Sequence, residues 1–271
     1  MPRPFAGRAA LVVAHPGHEL RVYGWLEQAR PLVFVLTDGS GGSGVPRLAS
    51  TVRLLEQTGA EPGDVIGRLS DRDLYDAILT HDHALFAALA AELAGAFVRS
   101  RVRFVAGDAT DGYHPAHDAC RLVTDAAVTI AQGQRGRPIT NFAFPITGRP
   151  DAAPRDCRPD SLGLLLDDGA FDRKRATAEA YPEMLAEIDA AVAEFGWDAF
   201  RREVFFPVEH PAGTVAPAEP PYYEWYGAEQ VRAGRYREVL RHDDHFRPLC
   251  RAVWAYVNGR PGCRVPAAGP L

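Results

Sequence analysis

The sequence has no apolar run long enough to cross a membrane. Its first residues, Met1-Pro2-Arg3-Pro4, pass toward an apolar segment instead of forming a leader with a cleavage site, so the expected compartment is the cytoplasm. Charge of one sign is not in large excess. The formal net charge is -5 with acidic and basic residues interspersed, which argues against a nucleic-acid surface or an anionic membrane as partner. Cysteine is scarce: Cys120, Cys157, Cys250 and Cys263 are scattered with no C-x-x-C, so they read as free thiols and not as a disulfide frame. No G-x-S-x-G and no nucleophilic cysteine pattern occurs, which removes the familiar covalent hydrolase signatures.

What remains is an apolar share of 46% over 271 residues, enough for a sizeable core. The apolar runs 9–14, 32–36, 65–69, 101–106 and 139–144 read as strands, with helical patterns between them. That β-α-β-α rhythm predicts an α/β, Rossmann-like doubly wound sheet, mostly parallel, with helices on both faces and a C-terminal helical extension. The expectation is a single domain over 1–271, with a core over 8–210 and an extension over 211–271. Residues 71–96 read as one helix, and 170–195 as a long helix that Pro182 starts or kinks.

Two segments carry the chemistry. His15-Pro16-Gly17-His18-Glu19 follows the first strand, and His114-Pro115-Ala116-His117-Asp118 follows the fourth. Ligands in open α/β sheets bind outside the carboxyl ends of strands, and strands one and four are neighbours in the usual doubly wound order. Neutral imidazole suits zinc, and a catalytic zinc needs three protein ligands and an open position. A set of His15, His18 and His117, with His114 beside it, is therefore a candidate metal site.

Both segments resemble those of the PIG-L/LmbE family, zinc-dependent de-N-acetylases of N-acetylglucosaminyl compounds with a Rossmann-like fold. That family carries Ala-His-Pro-Asp-Asp-Glu after strand one and His-Pro-Asp-His after strand four. Here the corresponding segments are Ala14-His15-Pro16-Gly17-His18-Glu19 and His114-Pro115-Ala116-His117. The resemblance implies zinc on His15, His18 (in place of Asp) and His117, oxyanion stabilisation by His114, and substrate contacts from Arg47 and Asp71. It also implies an N-acylated sugar conjugate as substrate. Asp71 is equally a natural helix N-cap, and Arg47 equally a solvated surface arginine.

The departures are as informative as the matches. The family's general base falls on Gly17 and its second-segment aspartate on Ala116, and neither residue takes a proton. Three readings stand open. A carboxylate from elsewhere serves as base, with Asp111 first and Asp38 and Glu19 behind it; or three imidazoles leave the zinc electropositive enough to ionise water without a base; or hydrolysis is lost and only metal or sugar binding is kept. A rival of another class is a nucleotide-binding enzyme using Gly39-Ser40-Gly41-Gly42-Ser43-Gly44, which satisfies G-x-G-x-x-G but follows the second strand instead of the first. Tyr222, Tyr223, Trp225 and Tyr226 form an aromatic cluster read as core or interface, with sugar stacking as the alternative. His242 and His245 are a minor candidate for a second metal site, while His81 and His83, two apart on a helix, should face apart at the surface.

Overall fold

The computed structural model describes residues 7–41, 44–155, 157–215, 217 and 219–263. The chain runs through β1 (Ala9–Val13), a 3₁₀ turn (His18–Val22), α1 (Tyr23–Ala29), β2 (Leu32–Thr37), α2 (Leu48–Thr58) and β3 (Glu61–Leu69). There follow α3 (Asp71–Leu79), α4 (His83–Arg99), β4 (Phe104–Asp108), α5 (Pro115–Arg135), β5 (Thr140–Phe144) and β6 (Leu162–Leu165). The last elements are α6 (Asp168–Glu179), α7 (Leu185–Phe195), β7 (Arg202–Pro207), α8 (Tyr222–Arg232) and α9 (Arg247–Asn258).

The strands form one seven-stranded sheet in the order β3-β2-β1-β4-β5-β7-β6. β3, β2, β1, β4 and β5 are parallel, and β7 runs antiparallel to both β5 and β6. Both faces of β1 are buried, as its unbroken apolar run requires. Because side chains alternate along a strand, Ala10 and Val12 join Phe34 and Leu36 in one core layer, while Ala9, Leu11 and Val13 join Val33 and Val35 in the other. The first layer is closed by α3, α4, α5 and α9, the second by α1, α2 and α6. A buried carboxylate links the antiparallel edge to the second layer. Glu203 of β7 accepts from the Gly24 and Trp25 backbone N–H groups at the start of α1 and from Lys174 Nζ. It thereby satisfies donors that a helix start leaves without partners.

Two expectations are corrected. The helix expected over 71–96 is two, α3 and α4, separated at Thr80–Asp82 where His81 takes a left-handed φ of 58°. Ser70 caps α3 with a reciprocal capping box and Asp82 caps α4, so each helix has its own start signal. The long helix over 170–195 breaks at Pro182 into α6, a 3₁₀ turn (Pro182–Met184) and α7, because proline cannot continue the backbone ladder. Val204, Phe205 and Phe206 belong to the antiparallel strand β7, which the apolar runs of the sequence do not mark. Among the described residues no helix is long and apolar enough to cross a membrane.

Candidate functional site

Adjacent pairing of β1 and β4 places their C-terminal ends side by side, and the two histidine turns leave from those ends. The junction is stitched by side chains. Asp108, the last residue of β4, accepts the Ala14 N–H at 2.8 Å, and Thr37, the last residue of β2, donates its hydroxyl to the Ala14 carbonyl at 3.0 Å. The first turn then folds back through Gly17 at φ 105°. Buried Glu19 holds it there, accepting the Gly17 N–H at 2.7 Å and the Thr51 hydroxyl at 2.7 Å. In the second turn His114 is the N-cap of α5 and Pro115 occupies the first helical turn, where a missing N–H is harmless.

Four imidazoles converge as a result. Ring centroids are 5.3 Å apart for His15 and His18, 5.4 Å for His15 and His117, 4.8 Å for His18 and His117, and 5.0 Å for His15 and His114. Three of the rings are backed by carboxylates. His15 Nδ1 lies 2.8 Å from Asp71 Oδ1 and 2.8 Å from Thr37 Oγ1, His18 Nδ1 lies 2.8 Å from Asp108 Oδ2, and His117 Nδ1 lies 3.0 Å from Asp111 Oδ2. A carboxylate accepts, so in each case Nδ1 carries the proton and Nε2 keeps its lone pair. His114 is the reverse: its Nδ1 accepts the Ala116 N–H at 3.2 Å, so Nε2 carries the proton.

Proximity alone groups His15, His114 and His117, whose ligand-capable nitrogens lie within 4.8 Å of one another. Hydrogen bonding sorts the rings differently, and it decides the chemistry because a protonated nitrogen offers a cation no lone pair. By that criterion His15, His18 and His117 are ligand-ready and His114 is a hydrogen-bond donor. Imidazoles with a carboxylate on the far nitrogen are the usual arrangement around a protein-bound metal. In donor chemistry three imidazole nitrogens suit one zinc ion.

Electrostatics favours the neutral ring at His18 and His114 and the charged ring at His117. Burial pushes His18 down to about 4 against the opposing pull of Asp108, and burial holds His114 well below its ordinary value. His117 is raised: burial works against its charged form, but the hydrogen bond and charge of Asp111 outweigh it. Burial likewise disfavours charge on Asp71 and Asp108, yet the neighbouring imidazoles hold both carboxyls below their ordinary range.

The remaining sequence candidates fall around this cluster. Asp111 sits behind His117, accepting also from Thr147 Oγ1 at 3.2 Å and from the Tyr113 N–H at 2.9 Å. Asp71 joins His15 to the glycine loop, its Oδ2 accepting the Gly41 N–H at 2.6 Å; Gly42 and Ser43 of that loop lie outside the described residues. Arg47 stands at the N-cap position of α2 without a side-chain capping bond and donates to Met184 Sδ at 2.8 Å, with Glu187 at 3.5 Å. Asp38 accepts the Ser40 N–H, and Glu19 is fully buried in its structural bonds.

Several contributors carry no clear mark in the sequence. Asp108 and Thr37 are strand-end polar residues, which the rule of ligands at carboxyl ends of strands would single out. Met184 has no signal: it comes from the 3₁₀ turn before α7 and packs on Gly17, where even a Cβ would stand 2.8 Å from its sulfur. The aromatic cluster divides. Tyr223 is buried, while Tyr222, Trp225 and Tyr226 are exposed, and Tyr222 stacks on Tyr113 at 4.9 Å next to His114. His242 Nδ1 meets Asp243, and His245 stacks on His81 at 5.5 Å. His81 and His83, expected to face apart, are ring neighbours at 5.4 Å because the break between α3 and α4 turns them together.

No protein-family model matches the chain, and no curated protein matches it by sequence. Solved structures do match in fold. An A40926 pseudoaglycone deacetylase is 20% identical, with a TM-score of 0.50 over 74% of this chain and 96% of that one. The zinc-inhibited form of a teicoplanin deacetylase is 12% identical, with a TM-score of 0.51 over 74% and 97%. A deacetylase–bog complex from the teicoplanin biosynthesis pathway is 13% identical, with a TM-score of 0.54 over 74% and 97%. At these identities the likeness establishes a shared α/β fold.

Proposed function

We propose that the protein is a zinc-dependent hydrolase of the PIG-L/LmbE type that removes an N-acyl group from an amino sugar or a related small polar amide. One observation carries the reading: three imidazoles from two distant turns, each with Nδ1 held by its own aspartate, meet beside a fourth that presents a proton. The shared fold with proteins described as deacetylases supports it.

In this reading His15, His18 and His117 hold the ion, which when bound supplies Lewis acidity toward the amide carbonyl and toward water. Asp71, Asp108 and Asp111 fix the rings and their tautomers, and Asp111 is assigned as a positioning residue for His117. His114 donates a hydrogen bond from Nε2–H to the developing oxyanion and keeps its proton, and its depressed basicity keeps it neutral in that role. Arg47 and the Asp71-bound glycine loop contact the sugar. No carboxylate is supplied from position 17. Three imidazole ligands, which carry no negative charge of their own, would leave the ion more electropositive than a carboxylate ligand would.

A second reading follows from the packing of Met184 over Gly17, which occupies the place a base would take: a relative that binds metal and sugar without hydrolysis. Purified protein should carry one equivalent of zinc and release free amine from N-acetylglucosamine conjugates. Zinc without amine release would establish the binding-only reading, and absence of zinc would remove both.

A further inference from the structure

Helix α8 turns its aromatic side outward. Tyr222, Trp225 and Tyr226 share one face at the i, i+3, i+4 spacing that normally seals a helix onto a core. Here Tyr223, Gly227 and Gln230 are the buried residues, and the three rings stay 44%, 58% and 43% exposed. Neighbours extend the face into a belt. Tyr113 stacks parallel on Tyr222 at 4.9 Å, and Tyr222 lies 5.4 Å from Trp225 and 6.2 Å from Tyr226. Tyr236 continues it 6.4 Å from Tyr226 and meets Tyr75 of α3 at 5.6 Å. Among the described residues ten large apolar side chains are exposed, and five of them stand in this belt, so it is a patch and not scatter.

Both ends of the belt adjoin residues of the imidazole cluster along the chain. Tyr113 directly precedes His114, and Tyr75 stands one helical turn after Asp71, the partner of His15. Backbone contacts fix α8 against the second histidine turn. The Tyr223 N–H donates to the Gly112 carbonyl at 3.3 Å, and a Cβ on Gly112 would stand 3.4 Å from Pro221. The charges of α8 are already matched: Glu224 accepts the His242 N–H at 2.8 Å, and Arg232 pairs with Glu229. An ionic ligand therefore finds little to hold. Nor does α8 carry a leucine, isoleucine or methionine to give a lasting protein contact its aliphatic filling.

We propose that the belt binds pyranose rings, those of an oligosaccharide that continues from the N-acylated sugar at the imidazole cluster. The inference rests on the amide-hydrolase reading and names the remainder of its substrate as further saccharide. A pyranose is uncharged, with C–H bonds on its flat faces and hydroxyls around its rim. Aromatic faces, negative at the centre, meet the C–H bonds, while the phenol and indole edges offer polar atoms to the hydroxyls. A row of rings suits a chain of sugars, because each stacked pair adds its own increment. The outward spacing of Tyr222, Trp225 and Tyr226 thus serves a ligand where it does not serve the core.

The full chain is titrated with N-acetylglucosamine and with its β-1,4-linked tetramer, and binding is read from tryptophan fluorescence before amine is released. The tetramer should bind at least about tenfold more tightly than the single sugar, the scale of one well-stacked ring pair. Tyr222→Ala should remove most of that advantage and leave single-sugar affinity and zinc content unchanged; Tyr226→Ala, further from the histidine turn, serves where circular dichroism shows that Tyr222→Ala disturbs folding. Equal affinities for the two sugars, or a length preference that survives both variants, would overturn the proposal. Self-association in sedimentation that Tyr222→Ala abolishes, with no length preference, would assign the belt to a second copy of the chain and overturn it equally. Amine release from N-acetylglucosamine without a length preference would sink this inference and keep the hydrolase reading. A length preference abolished by Tyr222→Ala in a chain that releases no amine would do the reverse.

Discussion

Two groups of histidines lie close together in this molecule, and they differ in what stands behind the rings. Around His15, His18 and His117 each Nδ1 meets an aspartate at 2.8–3.0 Å, and the pairs are nearly closed to solvent. Around His81, His83 and His245 the rings stack or meet edge-on. There His245 Nδ1 accepts the Arg241 N–H, and Glu238 approaches His245 only to 3.7 Å from an exposed position. The first group has its rings oriented by fixed acceptors. The second has ring contact without orientation. The carboxylates on the far nitrogens, and not ring proximity, are what separate the two clusters.

Breaking the first group at a ring should have the largest effect. His117→Ala is expected to abolish zinc retention and to lower kcat/KM by about 10³-fold or more, since the chemistry depends on the ion. Metal analysis and an amine-release assay on the same preparation check both halves. Removing the support behind a ring should cost less. Asp108→Asn leaves His18 in place but weakens its orientation, and zinc affinity should fall about 10–100-fold in a competition titration with a chelator. An unchanged affinity would show that Asp108 serves only the Ala14 backbone.

A smaller effect belongs to Glu19, which supports the first turn without touching a ring. Burial raises its carboxyl from 4.5 to about 6, despite bonds from Thr51 and Gly17 that favour the charged form. The native state therefore binds more protons than the unfolded state between these values. This group's contribution to stability is fully present below 4.5 and is lost as pH rises through about 6. The change is of order 2 kcal/mol, since a tenfold difference in proton affinity is worth about 1.4 kcal/mol. Glu19→Gln should flatten the stability profile across that window in urea unfolding at fixed pH values. The smallest effect is expected from the second group: His245→Ala should leave zinc content and turnover unchanged, and a loss of metal there would dissolve the distinction between the two clusters.

Much of this is legible in the chain. The strand-turn-helix grammar around His15 and His114 locates the site because buried parallel strands are written as unbroken apolar runs and their carboxyl ends are marked by abrupt polar turns. The aspartates behind the rings are only partly legible. Asp71 and Asp111 stand out for other roles, and Asp108 reads as loop, since pairing between residues 90 apart leaves no local pattern. Met184 over Gly17 is beyond reach for the same reason. The antiparallel strand through Phe205 is hidden because its apolar stretch is short and its partners, β5 and β6, are set by the sheet's topology and not by sequence neighbours. The false join of α3 and α4 arises because apolar spacing carries across the two helices while the break turns on the backbone of one residue, His81.

On the proposed function, hydrogen bonding and not distance decides which imidazoles take the ion. Zinc stoichiometry in His18→Ala and His114→Ala, measured side by side, tests this most directly. The expected result is that His18→Ala loses the metal, whereas His114→Ala keeps one equivalent and loses turnover. Retention of zinc by His18→Ala together with its loss from His114→Ala would contradict it.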